Sequence, residues 1–193
     1  LQILRGVILA AEVCAAVLSF SLVGLVAHHA LFVTVPLIVV ALSGPFLGEK
    51  VGWRRWSAVG LGAIGVLIIL RPGPGLLQGN ALLPLISAVL FAVYGVLNRY
   101  VSRLDDTNTS FFWTGIVGAV FMTCIGIWFW EPMDATGWAI MAVLSCTALL
   151  GHYTFIRAYA VSEASALQPF AYLHLPFAGA LGILIFGDTF DLP

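Results

Sequence analysis

Charged residues are scarce in this sequence. Asp, Glu, Lys and Arg make up 9% of the 193 residues, whereas they make up about a quarter of an ordinary soluble domain. A soluble fold could not cover its surface with so few charges. Apolar residues account for 61% of the chain, and the mean hydropathy is +1.06. The composition therefore excludes an ordinary soluble domain and indicates an integral membrane protein.

Signatures of metal, cofactor and catalytic sites are also lacking. The three cysteines, Cys14, Cys124 and Cys146, lie in apolar runs without metal spacing or a disulfide pattern, and we interpret them as reduced packing thiols. No His and Glu spacing resembles a zinc site, and no glycine loop follows a strand to hold phosphate. No nucleophile–base arrangement is visible either. We therefore expect no metal, no cofactor and no enzyme activity. The net charge of −1 says nothing about acidic or basic partners, and we expect no nucleic-acid partner.

The chain is instead rich in long apolar segments. Seven such segments are each close to the roughly 20 residues that a helix needs to cross a bilayer. Proline, glycine or acidic residues separate several of them, as at 72–75, 105–108 and 131–134. The pattern predicts an all-α integral membrane protein with seven visible transmembrane helices. Their predicted bounds are 4–26, 29–47, 53–70, 80–102, 109–130, 136–161 and 165–187.

Basic residues fall almost entirely on one predicted face of the membrane. If every segment crosses, loops 48–55 and 99–108 share a face, and loops 71–79 and 131–135 share the other. Arg71 alone belongs to the second face. Because Lys and Arg are retained on the cytoplasmic side, we expect the first face to be cytoplasmic. The bases on that face are Arg5, Lys50, Arg54, Arg55, Arg99, Arg103 and Arg157.

Two of the segments end in a similar motif. Residues 46–50 read FLGEK, and residues 185–189 read IFGDT. The crossings between them place the two ends on opposite faces, and bases follow only the first. A repeated motif with inverted flanks is typical of inverted-topology repeats in transporters. Few other positions agree when the motifs are aligned, and chance could supply those, so the repeat is a hypothesis.

Residues 36–73, PLIVVALSGPFLGEKVGWRRWSAVGLGAIGVLIILRPG, resemble the EamA-type drug/metabolite transporter (DMT) superfamily. The resemblance rests on Pro36, the Leu-Gly-Glu segment end, a basic turn, a glycine-rich segment and the closing Arg-Pro-Gly. Residues 158–188 resemble the same superfamily, although Asp188 replaces the usual Glu and Leu175 holds the position equivalent to Pro36. The motif residues to which we assign structural roles are Pro36, Gly48, Glu49, Gly187 and Asp188.

The resemblance implies a ten-helix protein built as two inverted five-helix repeats, with both ends cytoplasmic. On that plan, residues 1–78 would hold the last three helices of the first repeat, and residues 79–193 the first four of the second. Helices one, two and ten of the plan would be missing from this sequence. We therefore expect the chain to be a piece of a longer protein.

The same resemblance implies a secondary transporter, an exporter, that moves a small organic metabolite or drug-like solute by alternating access. Its partners would be the solute and the lipid bilayer, its location the bacterial inner (plasma) membrane, and it could form a homodimer. No ATP-binding motif is visible, so the energy would come from a gradient or from the solute itself. A non-transporting multi-pass membrane scaffold or sensor is the alternative.

Polar residues within the predicted helices are candidates for a substrate pathway. Ionisable groups inside a bilayer cost several kcal/mol and usually mark a pathway or a buried pair. Glu12 lies roughly 12 Å from the inner face, at about 1.5 Å per residue. It would serve either the pathway or a structural tie to Arg5, which shares its helical stripe. The other pathway candidates are Tyr94, His152, Gln168, Tyr172 and His174.

Helical spacing separates some of these candidates. Gln168 and Tyr172 share one face of the last segment, whereas His174 points roughly the other way. Only one of these faces can look into a cavity, and Gly179 on the first stripe favours the face of Gln168 and Tyr172. His152 would either line a cavity or form a helix–helix hydrogen bond.

The acid at the end of the second segment needs a partner. A carboxylate at a helix C-terminus opposes the dipole of its own helix. We therefore expect Glu49 to form a structural lock with Lys50, Arg54 or Arg55. His28 and His29 lie at the predicted outer turn, where we expect exposure to solvent.

Overall fold

The computed structural model describes residues 1–70, 82–173 and 177, and every regular element in these residues is helical. A 3-10 turn, Ile127–Phe129, extends the sixth of the α-helices. The α-helices are α1 (Gln2–Val23), α2 (Leu25–Phe32), α3 (Val35–Leu47), α4 (Trp53–Leu70), α5 (Leu82–Val101), α6 (Thr107–Gly126), α7 (Ala135–Val161) and α8 (Ala164–Ala171).

Four helical spans in the described residues are long and apolar enough to cross a membrane. They are α1, α5, α7 and the span Thr107–Phe129, and they contain 20 to 27 residues. At about 1.5 Å per residue, such helices match or exceed a hydrocarbon core of about 30 Å. The predicted all-α, multi-pass membrane architecture is therefore confirmed. The ten-helix repeat and the division between residues 1–78 and 79–193 stay predictions.

The second predicted segment, 29–47, is two helices rather than one. Gly24, at φ +83, ends α1, and α2 then begins at Leu25, earlier than predicted. The chain turns again at Val33 and Thr34 because Pro36 has no N–H to donate to the carbonyl of Phe32, so α2 cannot continue. Pro36 instead lies in the first turn of α3. A backbone N–H there would have no partner within the helix, so its absence costs no hydrogen bond.

Several sequence predictions fall outside the described residues. They concern the loop 71–79 with Arg71, the candidate His174, and the motif residues Gly187 and Asp188. In contrast, α4 has the bounds predicted for the third segment, and α8 begins one residue before the seventh.

The helix α5 organises the packing of the described fold. It contacts α1, α2, α3, α7 and α8. Ala88 and Ala92 on α5 are fully buried, and such small side chains let helix backbones approach closely. A hydrophobic cluster of buried residues comprises Val35, Val39, Leu47, Ala88, Ala92, Val96, Tyr159 and Ala164.

Acidic side chains begin α6 and α7. Asp106 accepts a hydrogen bond from the Thr109 backbone N–H at 2.8 Å, and Asp134 accepts one from Gly137 at 2.7 Å. Hydrogen bonding by Thr109, first through its side chain and then through its backbone, lowers the pKa of Asp106 below its ordinary value. The charged cap is therefore present at neutral pH and is lost as the pH falls through that lowered pKa.

The N-terminal half of α7 presents apolar side chains away from the rest of the described fold. Trp138, Ile140, Val143 and Leu144 are all exposed. An apolar face of this kind on a soluble protein would promote association. In a bilayer the same face is compatible with lipid, because all backbone groups of a helix bond internally.

Candidate functional site

A cavity of about 300 Å³ lies between α2, α3, α5 and α8. This volume is at the lower end of the roughly 300–1,000 Å³ typical of small-molecule sites. No Asp, Glu, Lys or Arg lines it among the described residues, and its polar side chains are those of His29 and Tyr172. Both predicted halves contribute to the lining, which consists of His29, Phe32, Val33, Val35, Pro36, Phe91, Ala171 and Tyr172.

Aromatic rings form much of the cavity wall and continue behind it. The ring centroids of Phe32 and Phe91 are 5.5 Å apart. Behind them, His28 stacks on Phe32 at 5.2 Å, and Phe155 lies 5.5 Å from Phe91. These separations lie within the range of about 4.5–7 Å at which aromatic pairs attract. The wall is therefore a packed aromatic layer supported by α7.

Tyr172, one of the pathway candidates, lies between the cavity and α4. Its hydroxyl donates to the backbone carbonyl of Val33 at 3.4 Å. Its ring lies so close to Gly62 of α4 that a Cβ added there would be 2.3 Å from the ring. Glycine is thus required at position 62 for the ring to occupy this place.

The predicted motif residues at the two ends of α3 have distinct structural roles. Pro36 lines the cavity at the beginning of the helix. Gly48 ends the helix in the left-handed conformation, at φ +68, and its N–H donates to the carbonyl of Gly44 at 2.9 Å. Glycine favours this conformation because it has no Cβ.

Glu49 caps the N-terminus of α8. Its carboxylate accepts hydrogen bonds from the backbone N–H groups of Ala164 at 2.7 Å and Ser165 at 2.9 Å, and from the Ser165 hydroxyl at 2.6 Å. Arg99 is the basic residue nearest to it, with Nε 3.7 Å from Glu49 Oε1. The prediction that Glu49 pairs with Lys50, Arg54 or Arg55 was therefore wrong.

The physical reason for this difference is the helix dipole. A carboxylate that opposes the dipole of its own helix is stabilised by the positive end of another. The sequence shows that Lys50, Arg54 and Arg55 are close to Glu49 in the chain, but it could not show that α8 begins beside the end of α3.

Further charged residues surround this cap. Arg55 forms an ion pair with Glu163 and donates to the Ser165 hydroxyl at 2.7 Å. Arg99 donates to the carbonyls of Tyr159 and Ala160, both at 3.1 Å, and Arg103 donates to the carbonyl of Leu47 at 2.9 Å. These contacts join the ends of α3 and α5 to α4, α7 and α8. We name as the latch the residues Glu49, Arg55, Arg99, Arg103, Glu163 and Ser165.

Glu12 lies in the interface between α1 and α5, outside the described lining of the cavity. It is 7% exposed, and it accepts a hydrogen bond from the Ser87 hydroxyl at 2.9 Å. Its partner is thus a neutral hydroxyl on α5 rather than Arg5.

Arg5 is fully buried and binds elsewhere. Its guanidinium donates to Asn98 Oδ1 at 2.5 Å, to Thr114 Oγ1 at 2.7 Å, and to the carbonyl of Ser110. It therefore ties α1 to α5 and α6. The two residues share a stripe, as predicted, but each turns to a different partner.

Tyr94 and Gln168 are both buried behind the cavity. The ring of Tyr94 stacks on Phe155 with centroids 5.8 Å apart and planes inclined by 3°. Gln168 donates to the Tyr159 hydroxyl at 3.0 Å and to the carbonyl of Ala164 at 2.8 Å. Tyr172 and Gln168 therefore have different surroundings, although helical spacing places them on one face.

The burial and surroundings of the histidines differ from those expected from the sequence. His28 is 2% exposed, and its Nδ1 lies 2.9 Å from the Ser19 hydroxyl, so its predicted solvent exposure was wrong. His29 is half-buried and lines the cavity. His152 is half-buried on α7 and lies outside the described lining. The sequence signal that could have predicted the burial of His28 is Gly24, because a helix that begins directly after Gly24 turns His28 toward α1.

The aromatic residues Phe32 and Phe91 were not among the sequence candidates, although both line the cavity. The sequence contains 13 phenylalanines, and apolar periodicity does not distinguish those that face a cavity from those that face lipid. Their position relative to Pro36 and Tyr172 is a property of the tertiary fold.

Comparison with known proteins relates the chain to membrane transporters. It is 33% identical over 159 residues to the riboflavin transporter of Vibrio cholerae, a match that covers 82% of this chain and 53% of that protein. It is 25% identical over 158 residues to the S-adenosylmethionine uptake transporter of Rickettsia felis, covering 82% and 54%. It is 23% identical over 158 residues to the pseudopaline exporter of Pseudomonas aeruginosa, covering 81% and 56%.

These matches support the assignment to a transporter family, but each covers only part of the relative's length. The chain spans about half the length of these three relatives. The model of the EamA-like transporter family matches residues 78–193, which is more than half of the sequence. With its membrane-spanning helices and its transporter relatives, the chain belongs to the EamA-like transporter family.

Proposed function

We propose that the protein is a secondary transporter that moves a small organic solute across a membrane by alternating access. The observation that carries the proposal is the placement of the cavity and the latch. Each is built from residues of both predicted halves, 1–78 and 79–193. Transporters with internal repeats bind their solute at the interface between the repeats, and a cavity lined from both predicted halves supports a site of this kind.

The latch is the proposed gate on the cytoplasmic side. It joins α3 and α4 to α5, α7 and α8 at the helix ends where the basic loops 48–55 and 99–108 lie. The cavity lies further along α8, at Ala171 and Tyr172. Opening the cavity toward the cytoplasm would require the contacts of Glu49 with α8 to separate.

Glu12 is the proposed coupling carboxylate. It is buried within a membrane-spanning helix and has a neutral partner, Ser87. Ionisable residues in such positions mark proton or solute pathways in many transporters. It lies outside the described lining of the cavity, so its proposed role is to bind and release a proton as the α1–α5 interface changes. Tyr94 and Gln168 would support the cavity from behind.

The relatives suggest which solutes to test first. The names of two of them specify riboflavin and S-adenosylmethionine, and both compounds contain a flat heteroaromatic ring. We propose a solute of this general kind, with export as the direction and the bacterial inner membrane as the location.

Flux in proteoliposomes tests this proposal. The protein, expressed from its complete gene, is reconstituted in known orientation, and the movement of radiolabelled riboflavin and S-adenosylmethionine is followed from each side. We expect flux of at least one solute that exceeds flux in protein-free vesicles. A folded, correctly inserted protein that moves neither these solutes nor a wider metabolite panel would favour the alternative, a membrane scaffold or sensor.

A further inference from the structure

The cavity walls are largely aromatic and apolar. Rings of Phe32, Phe91 and Tyr172 line it together with His29, and the remaining lining is aliphatic apart from Pro36. Among the described residues the lining contains no Asp, Glu, Lys or Arg. The hydroxyl of Tyr172 already donates to the carbonyl of Val33, which leaves its ring rather than its polar end to face a ligand.

We propose that this cavity is a subsite for a flat, uncharged heteroaromatic ring, and that the contact between Gly62 and Tyr172 sets its width. The inference rests on the proposed transport function and names the part of the solute that the cavity holds.

The chemistry of the walls supports this choice of ligand. A charged group would lose its hydration here without meeting an Asp, Glu, Lys or Arg side chain among the described residues of the lining, which is costly. A flat ring can stack on or meet the edges of Phe32, Phe91 and Tyr172, and each such pair adds attraction beyond that of area burial. A cavity of about 300 Å³ is small for a drug-sized solute, so it would hold the ring and leave a polar tail outside.

Gly62 controls where the ring of Tyr172 can lie. A Cβ at position 62 would be 2.3 Å from Tyr172 Cδ2 and 2.5 Å from Cε2. These distances are far below van der Waals contact, so Gly62→Ala must displace the ring. Because α4 blocks one side and the cavity lies beside the ring, displacement would fill the space that a ligand needs. Gly60, on the same helix, has no atom within 4 Å of an added Cβ and provides a matched control.

The test measures binding of lumiflavin, a bare and uncharged flavin ring, to the detergent-purified protein. Lumiflavin is fluorescent, and stacking on aromatic side chains quenches that fluorescence. Ribitol, a polar chain without a ring, serves as the competitor that should not displace it. We expect saturable quenching by the wild type that excess ribitol leaves unchanged.

The variants locate the site. We expect Gly62→Ala to weaken lumiflavin binding about tenfold, as the loss of a stacked pair allows, and Gly60→Ala to leave binding unchanged. Tyr172→Ala should weaken binding to a similar extent. In the double variant, alanine at position 62 should have no further effect, because the ring it displaces is gone.

The outcomes separate this inference from the transport proposal. Equal lumiflavin binding by Gly62→Ala and Gly60→Ala, or displacement of lumiflavin by ribitol, would overturn the subsite. Flux of a solute without any lumiflavin binding would also overturn it, while leaving transport intact. Lumiflavin binding that follows the predicted variant pattern, without flux of any solute, would support the subsite and contradict the transport function.

Discussion

At the scale of single residues, Glu49 illustrates how a motif residue acts across the fold. It follows α3 in sequence, yet its three hydrogen bonds go to Ala164 and Ser165 at the start of α8. A carboxylate suits this position because it accepts several bonds and complements the positive end of the helix dipole. Its partners thus connect the two predicted halves.

Replacing this carboxylate tests the strength of that connection. We expect Glu49→Gln to lower the free energy of unfolding by about 1–3 kcal/mol, because an amide N–H₂ would face a backbone N–H and leave a buried donor unpaired. Thermal unfolding in detergent measures the change. Lys50→Gln is the matched control, since Lys50 is exposed and such surface substitutions change stability by less than about 0.5 kcal/mol. Equal melting of both variants would contradict the capping role.

Glu12 permits a functional test at the same scale. Glu12→Gln keeps the shape and the hydrogen-bonding capacity of the side chain but removes the charge. We expect normal folding and membrane insertion, with solute flux that is lost or no longer depends on pH. Flux is compared with that of Ser87→Ala, which removes the hydrogen-bond donor but keeps the carboxylate and should retain the pH dependence.

Unchanged flux in Glu12→Gln would contradict the coupling role of Glu12. Wild-type flux in Glu12→Gln, with unchanged pH dependence, would reduce Glu12 to a structural residue of the α1–α5 interface. His152, His174 and the cavity-lining His29 would then be the remaining titratable candidates.

Residue roles were only partly accessible from the sequence. Helical spacing correctly placed Glu12 and Arg5 on one stripe, but their partners Ser87 and Asn98 lie on α5, far away in the chain. The burial of His28 depends on the early start of α2. Local periodicity reports which face of a helix a residue occupies and does not report which helix packs on that face.

At the scale of elements, apolar runs predicted the long helices well, and the break between α2 and α3 was missed. Both sides of the break are apolar, so composition gives no boundary there. The signal for this break was Pro36, and the signal for the early start of α2 was Gly24. The effects of both residues are conformational. This break matters for the site, because His29, Phe32, Val33 and Pro36 lie around it and line the cavity.

The contacts of the latch lead to a prediction about the membrane face on which each loop lies. Arg103 donates to the carbonyl of Leu47, so the ends of α3 and α5 lie together, as the positive-inside count predicts. The loop 131–135 lies beyond α6 and should face the other side. In a variant without the native cysteines, we expect Asn108→Cys to be labelled by impermeant reagents from the cytoplasm and Met133→Cys from outside. Labelling of both from one side would refute this topology.

At the scale of the whole molecule, composition and segment length predicted the membrane architecture, and the resemblance of residues 36–73 and 158–188 predicted the family. The inverted repeat is still a prediction, because the second copy of its motif, at Gly187 and Asp188, lies outside the described residues. The solute was not readable from the sequence, because the cavity is formed by common apolar residues brought together from α2, α3, α5 and α8.

Solute counterflow tests the central claim, alternating access, most directly. Proteoliposomes containing the protein expressed from its complete gene are loaded with unlabelled riboflavin and diluted into a trace of labelled riboflavin, with S-adenosylmethionine measured in the same way. A carrier returns to the outside loaded with unlabelled solute and exchanges it, so we expect transient accumulation of label above its external concentration for at least one solute. Label that only equilibrates, or that enters no faster than into protein-free vesicles, for every solute of a broad metabolite panel would contradict the account.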